Sequence, residues 1–284
     1  MAKGIAKVAV VTGAARGIGA GVAHALAKKG YAVALVGLEG ELLRQNAKAI
    51  GESALAFEVD VTDRLALGNA VEGARERFGR VDVMVSNAGI GNYELVRDMS
   101  AENFNRVMDV NLGGTFNAAK AALPHLIESK GYFLAVASIA AAVAPPGLAA
   151  YGASKAGTEA FANTLRAEMA HLGVDVGVAY FGWLQTDLVK QAGEFTAFTY
   201  MRTHLPGPLK AISSVDIAVQ AIVQGVERRK RRVLAPGWLR LALLLRWPIA
   251  GDVSMFKKHM PEIERLCAQS ARDTVFISDP ARRS

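Results

Sequence analysis

The stretch Val8-Ala-Val-Val-Thr12-Gly13-Ala-Ala-Arg16-Gly17-Ile18-Gly19 decides how the rest of the chain is read. Residues 8–11 form an unbroken run of β-branched and small apolar side chains, the pattern of a strand buried on both faces of a parallel sheet. From Ile18, apolar residues recur at four-residue spacing through Val22 and Leu26, until Lys28-Lys29-Gly30 ends the helix. Gly13, Gly17 and Gly19 therefore fall in a strand-to-helix turn. Such a turn lets the backbone approach a phosphate closely and aims the helix's free N–H groups and positive dipole end at it. Three glycines alone say little, since any tight turn favours them; between a buried strand and an amphipathic helix they point to a nucleotide.

Working outward, a second strand over residues 32–36 ends at Gly37-Leu38-Glu39. A carboxylate at this strand end holds the ribose 2′-hydroxyl of NAD and repels the 2′-phosphate of NADP. Gly37 leaves that place empty and Arg16 offers a cation, so the sequence favours NADP; NAD is the alternative, with Glu39 swinging into the acidic role. A third strand at 55–59 leads to Asp60-Val61-Thr62-Asp63, where a carboxylate either accepts from an adenine amino group or caps a helix over 65–78. The strand 81–86 runs into Asn87-Ala88-Gly89, small enough for close approach to a ligand, or simply a tight turn. Residues 102–123 carry helical periodicity through Phe104, Val107 and Leu112, broken by Asn111 and by Gly113-Gly114. Each glycine costs about 1 kcal/mol against alanine in a helix, and such a violation is expected at a functional kink.

A strand over 132–138 delivers Ser138, and Tyr151-Gly-Ala-Ser-Lys155 follows. Tyr151 and Lys155 are four apart, so a helix presents both from one face. A free phenol titrates near pH ~10, about three units above neutrality. An ammonium beside it favours the phenolate and pulls that value toward the range useful for general acid and base chemistry. Ser138 supplies a hydroxyl for the reacting oxygen.

These motifs, Thr12-Gly13-x-x-x-Gly17-x-Gly19, Asn87-Ala88-Gly89, Asn111, Ser138 and Tyr151-x-x-x-Lys155, resemble the short-chain dehydrogenase/reductase family in order and spacing over residues 5–235. The resemblance implies an α/β, Rossmann-like doubly wound parallel sheet in three layers, with a nicotinamide cofactor across the strand ends. It implies that Tyr151 gives or takes the proton, that Lys155 lowers its pKa and binds the nicotinamide ribose, and that Ser138 orients the substrate oxygen. Asn111 would hold a water linking Lys155 to solvent. Gly13, Arg16, Gly17, Ile18, Gly19, Asp60, Val61, Asn87, Ala88, Gly89, Gly182 and Thr186 would meet the cofactor. One departure stands out: Phe181-Gly182-Trp183 occupies the place of the family's Pro-Gly before Thr186, which frees the backbone and puts an aromatic ring near the nicotinamide or the sheet edge.

Composition sets limits on these readings. At 284 residues and 51% hydrophobic the chain suffices for a large core. Cys267 is the single cysteine, so neither an intrachain disulfide nor a cysteine metal cluster can form, which fits a reducing, cytoplasmic setting. The apolar run at 8–11 is too short for a signal peptide. Of a formal charge of +7, Arg228-Arg-Lys-Arg-Arg232 holds five positive residues in one place. Without interleaved aromatics it gives no case for nucleic acid.

The chain divides into a catalytic domain at 1–235, containing a substrate loop at 188–210, and an extension at 236–284 packed on it or facing a membrane or partner. The loop has no clean period and carries Phe195, Phe198, Tyr200 and Met201; it reads as an apolar lid or as a helical pair packed on the core. Residues 228–247 set basic residues beside Trp and Leu, which suits an anionic membrane surface, a dimer contact or a pocket wall. The expected substrate is a bulky apolar alcohol, ketone or aldehyde. A 3-oxoacyl thioester is the runner-up, a non-catalytic nucleotide sensor a third reading, and the resemblance implies a homodimer or homotetramer.

Overall fold

The structure, a computed structural model, describes residues 6–143, 145–246, 254–270 and 276–277. The chain opens with β1 (Val8–Thr12), α1 (Gly17–Lys28), β2 (Ala32–Gly37), α2 (Gly40–Ile50), β3 (Ala54–Glu58), α3 (Arg64–Phe78), β4 (Val83–Ser86) and a short β5 (Gly91–Asn92). It continues through α4 (Ala101–Met108), α5 (Gly114–Ser129), β6 (Tyr132–Val136), α6 (Ala149–Met169), β7 (Asp175–Phe181), β8 (Trp183–Leu184), α7 (Asp187–Ala192) and α8 (Thr196–Thr203). Last come β9 (Ile212–Ser213), α9 (Val215–Glu227), β10 (Arg232–Ala235), α10 (Leu239–Leu244), two helices at Ser254–Lys257 and Met260–Ser270, and β11 (Phe276–Ile277).

Among the described residues, seven strands form one parallel sheet in the order β10-β7-β6-β4-β1-β2-β3. Successive side chains of a strand point to opposite faces, and here both faces are covered. Val10, Val36, Met84, Phe133 and Val178 pack under α3, α5 and α6. Val11, Leu35, Val85, Leu134 and Ala179 pack under α1, α2 and α9. This is the doubly wound, three-layered architecture that the family resemblance implied. The connections reverse direction at β1, and a cleft opens along the carboxyl ends of the strands, where such folds bind ligands.

Three local details bear on the site. Asp63, rather than Asp60, caps α3, its Oδ1 accepting from the N–H of Leu65 and Ala66 at 3.0 Å each. The break expected at Asn111 is a π-helical turn, Asp109–Gly113, between α4 and α5; such bulges mark functional sites. The stretch 188–210 is the helical pair, α7 and α8, followed by a 3₁₀ turn at Gly207–Lys210. Helices of six and eight residues are too short to show a period in sequence.

The basic and leucine-rich run at 228–247 is not one surface. Residues 228–232 lead into β10 at the amino end of the sheet, Arg232 being its first residue, and there Arg229 meets Asp175 at 3.3 Å. The leucines follow β10, at the carboxyl end beside the cleft. Trp247 lies outside the described residues.

Candidate active site

β1 ends in a buried Thr12, whose hydroxyl oxygen accepts from the main-chain N–H of Asn87 at 2.9 Å and of Ala88 at 3.0 Å. The Asn87 side-chain amide donates back to the Thr12 carbonyl at 3.0 Å. The two loops that flank the switch point are thereby fixed to each other. Gly13 and Gly17 hold φ of +64° and +56°, a region that strains any side chain. A Cβ at Gly19 would strike the Gly13 carbonyl oxygen. No side chain caps the start of α1, so its first N–H groups and positive dipole end remain open beside the cleft.

Gly13, Arg16, Gly17, Ile18, Val61 and the Asn87-Ala88-Gly89 loop line this cleft. So do Ser138, Tyr151, Lys155, Gly182 and Thr186. Three expected residues stand off the wall. Gly19 acts by letting the turn close. Asp60 accepts from the N–H of Thr62 at 2.9 Å and faces Arg106 at 3.6 Å. Asn111 is fully buried beside α6.

From that position Asn111 ties together the elements around the cleft. Its Oδ1 accepts from the N–H of Ile90 at 2.8 Å, and its Nδ2 donates to the Ile90 carbonyl at 2.9 Å and to Ser154 Oγ at 2.9 Å. Its main-chain carbonyl, loosened by the π turn, accepts from the Thr115 hydroxyl at 2.7 Å. A Cβ at Gly89 would lie 3.1 Å from Asn111 Oδ1 and 3.2 Å from Lys155 Nζ. Glycine there makes the room that the lysine occupies.

Ser138 follows β6 in extended backbone and caps the turn Ile139–Ala141, its Oγ accepting from the N–H of Ala140 at 3.2 Å. The same hydroxyl is near enough to the Tyr151 phenol to favour its ionised form. Lys155 is only 4% exposed; its Nζ donates to the Val136 carbonyl at 2.9 Å and sits 5.7 Å from the Tyr151 ring centre. Burial depresses its pKa to about 8. Tyr151 moves the opposite way from the sequence expectation. Burial raises its pKa, and Ser138 is the group that opposes the rise. Lys155 adds no opposing pull, its Nζ being turned to the Val136 carbonyl rather than to the phenol. The phenol is thus protonated at neutral pH, the form that donates to a carbonyl oxygen.

Sequence reasoning missed Ser154, which hides inside the Tyr151–Lys155 run, and Asp187. Arg16 is held by both Glu39 oxygens, with Nε to Oε2 at 2.7 Å, and by Asp187 at 2.9 Å. Phe181, in the place of the family's proline, pairs in register with Ala235 and is buried against the α1 and α9 layer while bordering the cleft.

The family model described as short chain dehydrogenase matches residues 7–197. The chain belongs to the short-chain dehydrogenase family. An uncharacterised oxidoreductase of Methylorubrum extorquens is 35% identical over 197 residues, 68% of this chain and 79% of that protein. The 3-oxoacyl-[acyl-carrier-protein] reductase of Escherichia coli is 31% identical over 185 residues, 65% of this chain and 76% of that one. Among solved structures, the 3-ketoacyl-(acyl-carrier-protein) reductase of Brucella melitensis, complexed with NADH, superposes with a TM-score of 0.73 at 28% identity, covering 81% of this chain and 96% of that one. This short-chain dehydrogenase is an oxidoreductase. Its glycine cradle, open helix start and buried lysine fit a nicotinamide dinucleotide.

Proposed function

We propose that this enzyme interconverts an alcohol and a ketone or aldehyde on a bulky apolar molecule, with Tyr151 moving the proton. The nicotinamide cofactor, when bound, supplies or accepts the hydride. Ser138 holds the reacting oxygen, Tyr151 gives it a proton in reduction and takes one in oxidation, and Lys155 steadies the charge that develops. Asn111 holds the loop and helix that carry these groups, and a water on its carbonyl would link Lys155 to solvent.

The observation that carries the substrate class is the distribution of charge along the cleft. The ionic groups on its walls, Arg16, Glu39, Arg106 and Asp187, flank the nucleotide arm, and Lys155 sits at the junction. Beyond Tyr151 the walls are Val143, Leu148, Trp183, Phe198, Leu209 and Trp238. An apolar arm without a charge suits a hydrophobic ring or chain. Kinetics with a free apolar ketone against a 3-oxoacyl thioester tests this: a kcat/KM higher for the thioester would replace it with the thioester reading that the Escherichia coli relative's name suggests.

For the cofactor we infer NAD over NADP, reversing the sequence preference. Arg16 was the cation available to a 2′-phosphate, and Glu39 and Asp187 already neutralise it. A 2′-phosphate would have to displace two carboxylates. The NADH held by the Brucella melitensis protein accords with this.

A second copy of the chain is proposed to cover the outer face of α5 and α6. Phe116 is 46% exposed there, and its ring meets Phe161 edge-on at 6.2 Å. Light scattering should show a dimer or tetramer that Phe116→Lys weakens; a monomeric wild type would end this reading. Peripheral membrane contact is proposed for α10 alone, whose Leu241 and Leu244 are 61% and 71% exposed. No described helix is long and apolar enough to cross a membrane.

A further inference from the structure

The helix Met260–Ser270 lies in the extension, outside the span that matches the family, yet it packs on α8. Ile263 is fully buried and shares a cluster with Leu148, Ala192, Phe198 and Leu205. Those four side chains line the cleft, whereas Ile263 does not. It sits one layer behind the wall. Phe198 is gripped edge-on by Tyr93, with ring centres 5.5 Å apart, and by the cleft-lining Trp183 at 5.3 Å. Trp183 is itself fixed, its Nε1 donating to the Leu209 carbonyl at 2.7 Å.

Two contacts hold the bracing helix in place from outside. The Tyr200 hydroxyl of α8 bonds His259 Nδ1 at 3.2 Å, and Arg97, on the opposite rim, faces Glu264 at 3.6 Å. So α8 is pinned between its aromatic neighbours in front and the terminal helix behind. A helix of eight residues has little stability of its own. Its position, and with it the wall formed by Phe198, Ala192 and Leu205, depends on what packs against it.

We propose that the helix Met260–Ser270 is a specificity element of this enzyme, in which Ile263 acts as a positioning residue that sets the depth of the substrate arm. This rests on the reading of the cleft as the site of an apolar carbonyl substrate. Removing the bulk of Ile263 leaves space behind Phe198 into which the wall can retreat, so larger substrates gain and small ones lose contact. Neither Ile263 nor any residue of that helix touches the cofactor wall, so cofactor affinity is untouched.

The test uses the full chain with Ile263→Ala, the milder Ile263→Val, and Tyr200→Phe, which loosens the outer contact without opening a core cavity. Steady-state reduction of cyclohexanone, decalone and androstanedione is read alongside amide hydrogen exchange. In Ile263→Ala the kcat/KM ratio of androstanedione to cyclohexanone should rise by about fivefold or more, through KM. Exchange over residues 196–203 should quicken by about tenfold while β1 and α1 keep their protection, with the other two variants intermediate. An unchanged ratio with unchanged exchange at 196–203 overturns the proposal, as does a uniform loss of activity with loss of protection across the sheet. If the wild type reduces none of the three ketones, the substrate reading fails, and exchange at 196–203 in the Ile263 and Tyr200 variants still decides whether the terminal helix braces the wall.

Discussion

The side-chain amide of Asn111 donates to the Ser154 hydroxyl at 2.9 Å, and that hydroxyl donates to the main-chain carbonyl of Tyr151 at 2.7 Å. The π turn is thereby tied to the first two turns of α6, which carry the phenol and the amine. The bidentate grip of Asn111 on Ile90 extends the tie to the loop beneath Gly89.

Ser154→Ala should therefore act on turnover and not only on stability. It leaves an Asn111 N–H buried without a partner, at a cost of about 1–3 kcal/mol. By freeing the catalytic turn it should lower kcat by about tenfold or more with cofactor Kd within about twofold. Ser154→Thr should recover part of the loss. Urea denaturation and steady-state kinetics on the same preparations check it; a stability loss with kcat unchanged would make Ser154 structural alone.

Lys155 makes stability depend on pH. Its pKa falls from the ordinary lysine value to about 8 in the fold, so between pH 8 and the ordinary value the unfolded chain binds more protons and stability rises with pH. At neutral pH the buried cation instead costs roughly 3 kcal/mol. Lys155→Met should be more stable than wild type at pH 7, with the advantage shrinking as pH climbs toward about 10. Denaturation of both proteins across that range checks the sign; an advantage constant with pH would contradict it.

How much of this was legible in the sequence follows from distance along the chain. The glycine turn, the Asn111 break and the Tyr151–Lys155 pair are local patterns, and their occurrence together in one order made them legible. Asp187 meets Arg16 across 171 residues, and no local pattern announces that. The direction of the Tyr151 shift was also hidden, because it depends on how dry the folded cleft is rather than on which residues flank the tyrosine. In the extension, Ile263 looks like any apolar residue of a surface helix until the fold sets it behind Phe198.

The proposed preference for NAD rests on Arg16 and the two carboxylates that hold it. Glu39→Gln keeps the shape, removes one charge and frees the guanidinium for a 2′-phosphate. The ratio of Kd for NADPH to that for NADH should fall by about tenfold or more. Fluorescence titration with both forms checks it, and a ratio that does not move would place discrimination elsewhere.

The exposed leucines of α10 predict weak, reversible binding to anionic vesicles, with Arg240 on the same short helix adding attraction that salt screens. Leu241→Ser with Leu244→Ser should abolish co-sedimentation with phosphatidylserine vesicles. Wild-type protein that never pellets at low salt would remove the membrane reading.

The central claim is that the Tyr151 phenol carries the proton, and Tyr151→Phe tests it most directly, since only the phenolic hydroxyl is removed. With a ketone the wild type reduces, kcat should fall by at least about 100-fold while NADH binding stays within about twofold of wild type. Turnover within about tenfold of wild type, at unchanged cofactor affinity, would show that the proton travels by another route.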